Sequence, residues 1–294
     1  MLTVRQTLRK AKALIAAGGI PDADLEAELL LMHCLGTGRV ELYTRLEELM
    51  PDSKVTAYRS AVERRLVHEP TSYITNTCGF YDREFYIDFR ALIPRPETEL
   101  LVEEVVGFLS RDFSKKAAVL VADVGAGSGV VGIAIALSCP TVQVLAIDVC
   151  SEALEVARIN CARHQVGDRV SLLVGDMLGP VAGPLDVIVA NLPYVTDADM
   201  AGLMEEVQGF EPHLALAGGE DGLEHIRRLL PQARERLGDD GLLLVEIGQG
   251  QGAAAVEAAR ACFPLGRIEL LSDLAGIDRV MKVTAGSVGR EERR

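Results

Sequence analysis

Between residues 117 and 284, short apolar and β-branched runs alternate with longer segments whose apolar residues recur at helical spacing. AAVLVADV, VQVLAIDV, RVSLLVGD, LDVIVAN, GLLLVEIG, IELLSD and DRVMKVT have the pattern of strands, and residues 129–138, 151–164, 221–237 and 251–262 that of helices. Near-continuous apolar strands separated by helices predict an α/β domain whose parallel sheet is covered on both faces. The last two strands have no helix between them, so an antiparallel pairing at the sheet edge is expected.

The first 70 residues differ. Thr3 can cap a run with apolar positions Leu8, Ala11, Leu14 and Ile15 that ends at Gly18-Gly19, and Pro21-Asp22 opens a second run. Helical patterns follow at 38–49 and 52–67, the last stopping at Pro70. A small helical domain is predicted over 1–70. From 71 to 94 aromatic residues cluster, with turn formers at Gly79 and Asp82, which predicts a linking β-hairpin. Pro94-Arg95-Pro96 then breaks the chain before an acidic helix start, so the α/β domain is set at 95–285 and a frayed tail at 286–294.

Composition changes this picture little. A net charge of −13 weighs against general binding of phosphate backbones. Six cysteines form no CxxC pair or zinc spacing, so reduced thiols and no metal are expected. No apolar run approaches the ~20 residues of a membrane span. A cytoplasmic protein without membrane association is expected.

The candidate chemistry lies at strand ends. VADVGAGSGVVG joins the domain's first strand to its first helix, and Gly125-Ala126-Gly127-Ser128-Gly129 can turn sharply beneath a ligand. Asp148 closes the second strand, where a carboxylate can accept from ribose hydroxyls. These features suit a nicotinamide dinucleotide, since Gly127, Gly129 and Gly132 satisfy its fingerprint formally. They equally suit S-adenosylmethionine. Asp123 tips the balance to the latter, because its α-ammonium group would gain an acceptor there. Asp176 and Met177, ending the third strand, could border the adenine, although core packing explains Met177 as well.

The fourth strand runs into Asn191-Leu192-Pro193-Tyr194, and Pro193 cannot donate to a sheet ladder. An amide is left at the strand's carboxyl end, where α/β sheets bind ligands. An acceptor –NH2 is a poor nucleophile with two donors to satisfy. The Asn191 side-chain oxygen can take one and the backbone carbonyl of Leu192 the other, while Tyr194 packs on the planar group. Rate would then come from positioning and exclusion of water. Taken alone, Asn-x-Pro-Tyr could equally be a strand-ending turn.

DVGAGSG, AIDV, NLPY, FYDREF, LIPRPETELLVE, LALAGGEDGLEHIRRLLPQA and LLLVEIGQGQG together resemble the HemK/PrmC protein-glutamine methyltransferases, over nearly the whole chain. The resemblance implies a Rossmann-like class I methyltransferase sheet of seven strands, the last antiparallel, behind the helical domain. It implies S-adenosylmethionine as cofactor, held by Gly125 to Gly129, Asp148, Met177 and Asn191. It implies as substrate the glutamine of the Gly-Gly-Gln loop of peptide-chain release factors, met by Asn191 to Tyr194. A monomer whose helical domain docks the release factor is expected. Leu192 departs from the family's usual proline, keeping the carbonyl but not the fixed φ. SYITN at 72–76 leans toward a sister group acting on a large-subunit ribosomal protein, and RPETE at 95–99 leans back to release factors. Adenine amino-methyltransferases use a similar Asn-x-Pro-aromatic device but need a basic face. A nicotinamide oxidoreductase and a non-catalytic binder complete the alternatives.

Overall fold

The computed structural model describes residues 2–112 and 118–286 and divides into two compact units. The first unit comprises residues 1–77 together with 204–211. It contains α1 (Val4–Ala17), α2 (Ala23–Leu35), α3 (Arg39–Thr44), α4 (Asp52–Leu66) and α5 (Thr71–Thr75). Thr3 caps α1 through a reciprocal box with Gln6, which satisfies backbone donors that would otherwise be orphaned. Leu8, Ile15, Leu30, Leu31, Met50 and Tyr58 build its core, and the Tyr58 hydroxyl donates to the Ala27 carbonyl at 2.9 Å.

Two expectations are corrected here. The segment 71–75, expected to be part of the 71–94 hairpin, is a short helix, because burying Tyr73 and Ile74 outweighs their strand preference. The helical unit also takes in a helix that the sequence left unassigned, Glu205–Phe210, far along the chain. Arg65, almost wholly buried, pairs with Glu26 at 3.0 Å and with Glu206 at 2.9 Å, so this segment is held by charge. A buried guanidinium needs such partners.

The second unit starts with the hairpin β1 (Cys78–Phe80) and β2 (Arg83–Phe85), followed by α6 (Glu99–Asp112). It continues with β3 (Val119–Val124), α7 (Val130–Ser138), β4 (Val142–Asp148), α8 (Ser151–His164), β5 (Val170–Val174) and β6 (Leu185–Ala190). After α9, the Glu205–Phe210 helix, come α10 (Glu224–Arg236), β7 (Leu237–Glu246), α11 (Gly252–Cys262), β8 (Arg267–Ser272) and β9 (Asp278–Thr284). The seven-stranded sheet has the order β5-β4-β3-β6-β7-β9-β8. Strands β3 to β7 pair in parallel, while β9 inserts antiparallel between β7 and β8. The predicted α/β class and its antiparallel end are therefore as read, and all seven strand runs form strands. The chain order reverses about β3, so β4 lies on one side and β6 on the other. Such a switch point opens a crevice at the carboxyl ends of the strands. Beyond Gly286, the expected frayed tail lies outside the described residues.

No helix among the described residues is long and apolar enough to cross a membrane.

Candidate active site

A cavity of about 320 Å³ opens at that crevice, within the size range of small-molecule sites. Strand β3 delivers Gly125 and Gly127 to it, β4 delivers Asp148, β5 delivers Asp176 and Met177, and β6 delivers Asn191, Leu192 and Pro193. Four neighbouring strand ends thus converge, as strand-end chemistry required.

Within the glycine loop the glycines have different reasons. Gly125 (φ +73) lies under the next loop: a Cβ there would meet Leu192 Cδ2 at 3.0 Å and the Asn191 carbonyl oxygen at 3.1 Å. Gly127 (φ +54) has nothing around its would-be Cβ, so its bare backbone opens a cradle on the cavity. Gly129 is a packing glycine, since its Cβ would press on Ala157 of α8 at 3.0 Å. Ala126 and Ser128 are buried and, like Gly129, do not line the cavity. The Ser128 carbonyl instead accepts from Asn160, whose side chain also bonds both backbone groups of Tyr86 after the hairpin.

Asp148 stands at the cavity wall. One oxygen accepts the Gly127 N–H and the other the Cys150 N–H, each at 2.8 Å, which leaves lone pairs for a ribose diol. Burial raises its pKa, and those backbone donors act against the rise. Asp123, expected to meet an ammonium group directly, sits beneath the loop at 2% exposure and accepts the Gly132 N–H at 2.8 Å. It does not line the cavity. Burial, with the charge of Asp148 adding to it, pushes the carboxyl up to about 7. Asp176 reaches the rim, where it pairs with Arg228 of α10. Met177 both lines the cavity and packs in the core, with a left-handed φ of 50°.

At the NLPY turn, Leu192 is 5% exposed and belongs to the hydrophobic core. A fixed φ is therefore not the only way to secure this turn: leucine anchors it by burial. Tyr194, expected to pack on the planar acceptor group, is not among the residues that line the cavity, and its hydroxyl donates to Glu246 Oε1 at 3.3 Å. Its backbone is held on three sides. Gln251 Nε2 donates to the Tyr194 carbonyl at 2.9 Å, and added Cβ atoms at Gly218 and Gly222 would run into Tyr194 backbone atoms at 2.6 Å and 2.2 Å. The GGEDGL and GQGQG stretches thus have a physical purpose: they clamp the NLPY turn.

Several residues of the site were not singled out from the sequence. Arg90 and Leu92, which follow the hairpin, line the cavity, and the Arg90 guanidinium is held by Asp88 at 2.6 Å. Thr98 and Glu246, each 2% exposed, lie behind the turn. The Asn191 Nδ2 donates to Thr98 Oγ1 at 3.1 Å. Strand order was the available signal for Glu246, because Asn191 and Glu246 each follow a residue of the Ala190↔Val245 pair.

The donor set fits S-adenosylmethionine. Asp148 offers acceptors for a ribose, Gly127 leaves backbone space, Met177 and Val149 offer apolar walls, and Arg90 offers a cation for a carboxylate. No group of three metal-ligating side chains is placed to hold a metal ion among the described residues.

Comparison with known proteins agrees with this geometry. Residues 6–75 match the family model described as PrmC N-terminal domain, and residues 102–207 the one described as Methyltransferase small domain. The release factor glutamine methyltransferase of Moorella thermoacetica is 39% identical over 279 residues, covering 95% of this chain and 97% of that protein. That of Koribacter versatilis is 36% identical, covering 95% and 98%. Among solved structures, a methyltransferase from Pyrococcus furiosus aligns with a TM-score of 0.50 at 16% identity, covering 78% of this chain and all (100%) of that one. A ribosomal protein L11 methylase from Lactobacillus delbrueckii aligns with a TM-score of 0.50 at 21% identity, covering 71% and 90%, a likeness of fold alone. By identity and coverage together, the chain belongs to the release factor glutamine methyltransferase family.

Proposed function

We propose that the protein transfers a methyl group from S-adenosylmethionine to the side-chain amide nitrogen of the glutamine in the Gly-Gly-Gln loop of peptide-chain release factors. The observation that carries this is the side-chain amide of Asn191 at the cavity edge, with its nitrogen already engaged by Thr98 and its oxygen left to accept. When bound, the cofactor supplies an electrophilic methyl group.

The chain's own residues then position and exclude. Asn191 Oδ1 accepts one N–H of the substrate amide and the Leu192 carbonyl accepts the other, which aims the nitrogen lone pair. The clamped Tyr194 and buried Leu192 keep this pair of acceptors rigid. No strong base is needed, because an amide nitrogen sheds its proton readily once methylated. Asp148 holds the ribose, Asp176 and Met177 border the adenine, and Gly125 to Gly129 form the floor, of which Gly125 and Gly127 reach the cavity. Asp123 acts from beneath the floor as the negative charge that favours an ammonium group above it. The helical unit docks the release factor, and the enzyme works as a cytoplasmic monomer without membrane or direct nucleic-acid binding.

A net charge of −13 supports a protein substrate over DNA or RNA. The test is methyl transfer in parallel to purified release factor, large-subunit ribosomal proteins and bare nucleic acid. Incorporation into release factor alone is expected. Incorporation into ribosomal protein or nucleic acid, with none into release factor, would overturn the proposal.

A further inference from the structure

We propose that Thr98 and Glu246 are positioning residues that decide which end of the Asn191 amide faces the cleft, and so make the site select an amide –NH2 over a carboxylate. This rests on the amide-methylation reading above.

Oxygen and nitrogen of a side-chain amide have nearly the same shape, so only the polarity of their partners decides the orientation. Asn191 Nδ2 donates to Thr98 Oγ1 at 3.1 Å. Thr98 is itself buried, so its hydroxyl proton must go to an acceptor. The Glu246 carboxylate takes a hydrogen bond from that hydroxyl, and a second from the Tyr194 hydroxyl at 3.3 Å. An ionised carboxylate only accepts. The donors therefore run one way, from Asn191 to Thr98 to Glu246, and Asn191 Oδ1 is left as the acceptor for substrate. With a neutral Glu246 the chain can reverse. Its O–H would donate to Thr98, Thr98 would donate to Asn191 Oδ1, and the amide would present its –NH2 to the cleft. Two –NH2 groups would then face each other, whereas a carboxylate would be welcomed.

One further feature keeps the switch close to balance. Glu246 Oε2 is buried without a hydrogen-bond partner. Burial raises the carboxyl to about 7 and Glu97 adds to the rise, while Thr98, Tyr194 and Arg279 lower it. Arg279 divides its charge between Asp273 at 2.9 Å and Glu97 at 3.8 Å, so it neutralises Glu246 only in part.

The test uses the full-length enzyme at saturating cofactor, with intact release factor and a version whose acceptor glutamine is glutamate. Wild-type transfer to the glutamine form is the reference, and its absence would refute the underlying reading rather than this one. Given that reference, Thr98→Val should lower kcat on the order of 10²-fold, the scale of a small misplacement at a reacting centre. Thr98→Ser should restore it to within a few-fold. The glutamate form, used as an inhibitor, should bind about 10-fold better to Thr98→Val relative to the glutamine form, one hydrogen bond's difference. Wild-type kcat should rise with pH through about 7, and Glu246→Gln should be slow with that rise removed. Thr98→Val with wild-type kcat and unchanged discrimination would overturn the proposal, as would failure of Thr98→Ser to rescue. If Glu246→Gln does not fold, the Thr98 pair decides alone.

Discussion

Gly222→Ala tests whether the clamp around Tyr194 governs catalysis. Gly222 has a φ of +74°, and a Cβ built on it would lie 2.1 Å from Gln251 Nε2 and 2.2 Å from the Tyr194 carbonyl oxygen. Alanine at left-handed φ costs about 1–2 kcal/mol. The Gln251 side chain can swing aside, which forfeits its 2.9 Å bond to Tyr194, a loss of about 0.5–1.5 kcal/mol. The Tyr194 carbonyl is backbone and can yield only if the turn moves. A destabilisation of about 1.5–3.5 kcal/mol is expected from those two contributions, with kcat reduced on the order of 10²-fold because the displaced segment carries the proposed substrate acceptors. Cofactor affinity should change little, since neither Gly222 nor Tyr194 lines the cavity. Thermal unfolding, calorimetric cofactor binding and single-turnover methylation of release factor would separate these effects. Gly167→Ala, where a Cβ meets nothing within 4 Å, serves as the neutral control. A folded Gly222→Ala enzyme with wild-type kcat would refute the idea that the clamp positions the substrate turn.

Three other substitutions probe the site. Asp148→Ala should weaken cofactor binding by about 1.5–3 kcal/mol, the range for bonds to a charged group, and calorimetry showing unchanged affinity would remove Asp148 from the ribose. Asp123 has its carboxyl raised from 3.8 to about 7, so the folded state binds more protons than the unfolded one between those values. Its contribution to stability therefore falls as pH rises through that window. A cofactor ammonium above it should favour the ionised form, so binding should tighten with pH up to about 7; Asp123→Asn should abolish this trend, and an identical trend in the variant would contradict it. Leu192→Pro keeps the carbonyl but removes a buried side chain. Denaturant unfolding should show a loss of about 1–3 kcal/mol, with kcat kept near wild type. Abolished activity in a folded variant would mean the turn follows a different path.

The sheet was legible because its strands are buried on both faces and so form continuous apolar runs, as in VLVADV and LDVIVA. Helix α5 was not, because five residues carry too little periodicity and Tyr73 and Ile74 favour strands by themselves. Helix α9 is held by Arg65, more than a hundred residues earlier, and no local pattern announces such a partner. The same division holds at the site. Asp148 and Asn191 declare themselves as polar residues ending apolar strands. Thr98 and Glu246 reach Asn191 only through strand order and a loop far away in sequence. Leu192 looked like a weakened proline, and its burial became visible only once the glycine loop was folded beneath it.

Tandem mass spectrometry of release factor incubated with S-adenosylmethionine and either wild-type or Asn191→Ala enzyme tests the central claim most directly. The account predicts a single methyl group on the side-chain nitrogen of the Gly-Gly-Gln glutamine with wild type. It predicts that group appearing on the order of 10²–10³-fold more slowly with Asn191→Ala, the usual loss for one pre-organised polar contact at a reacting centre. A methyl group on another atom, or equal rates from the two enzymes, would contradict it.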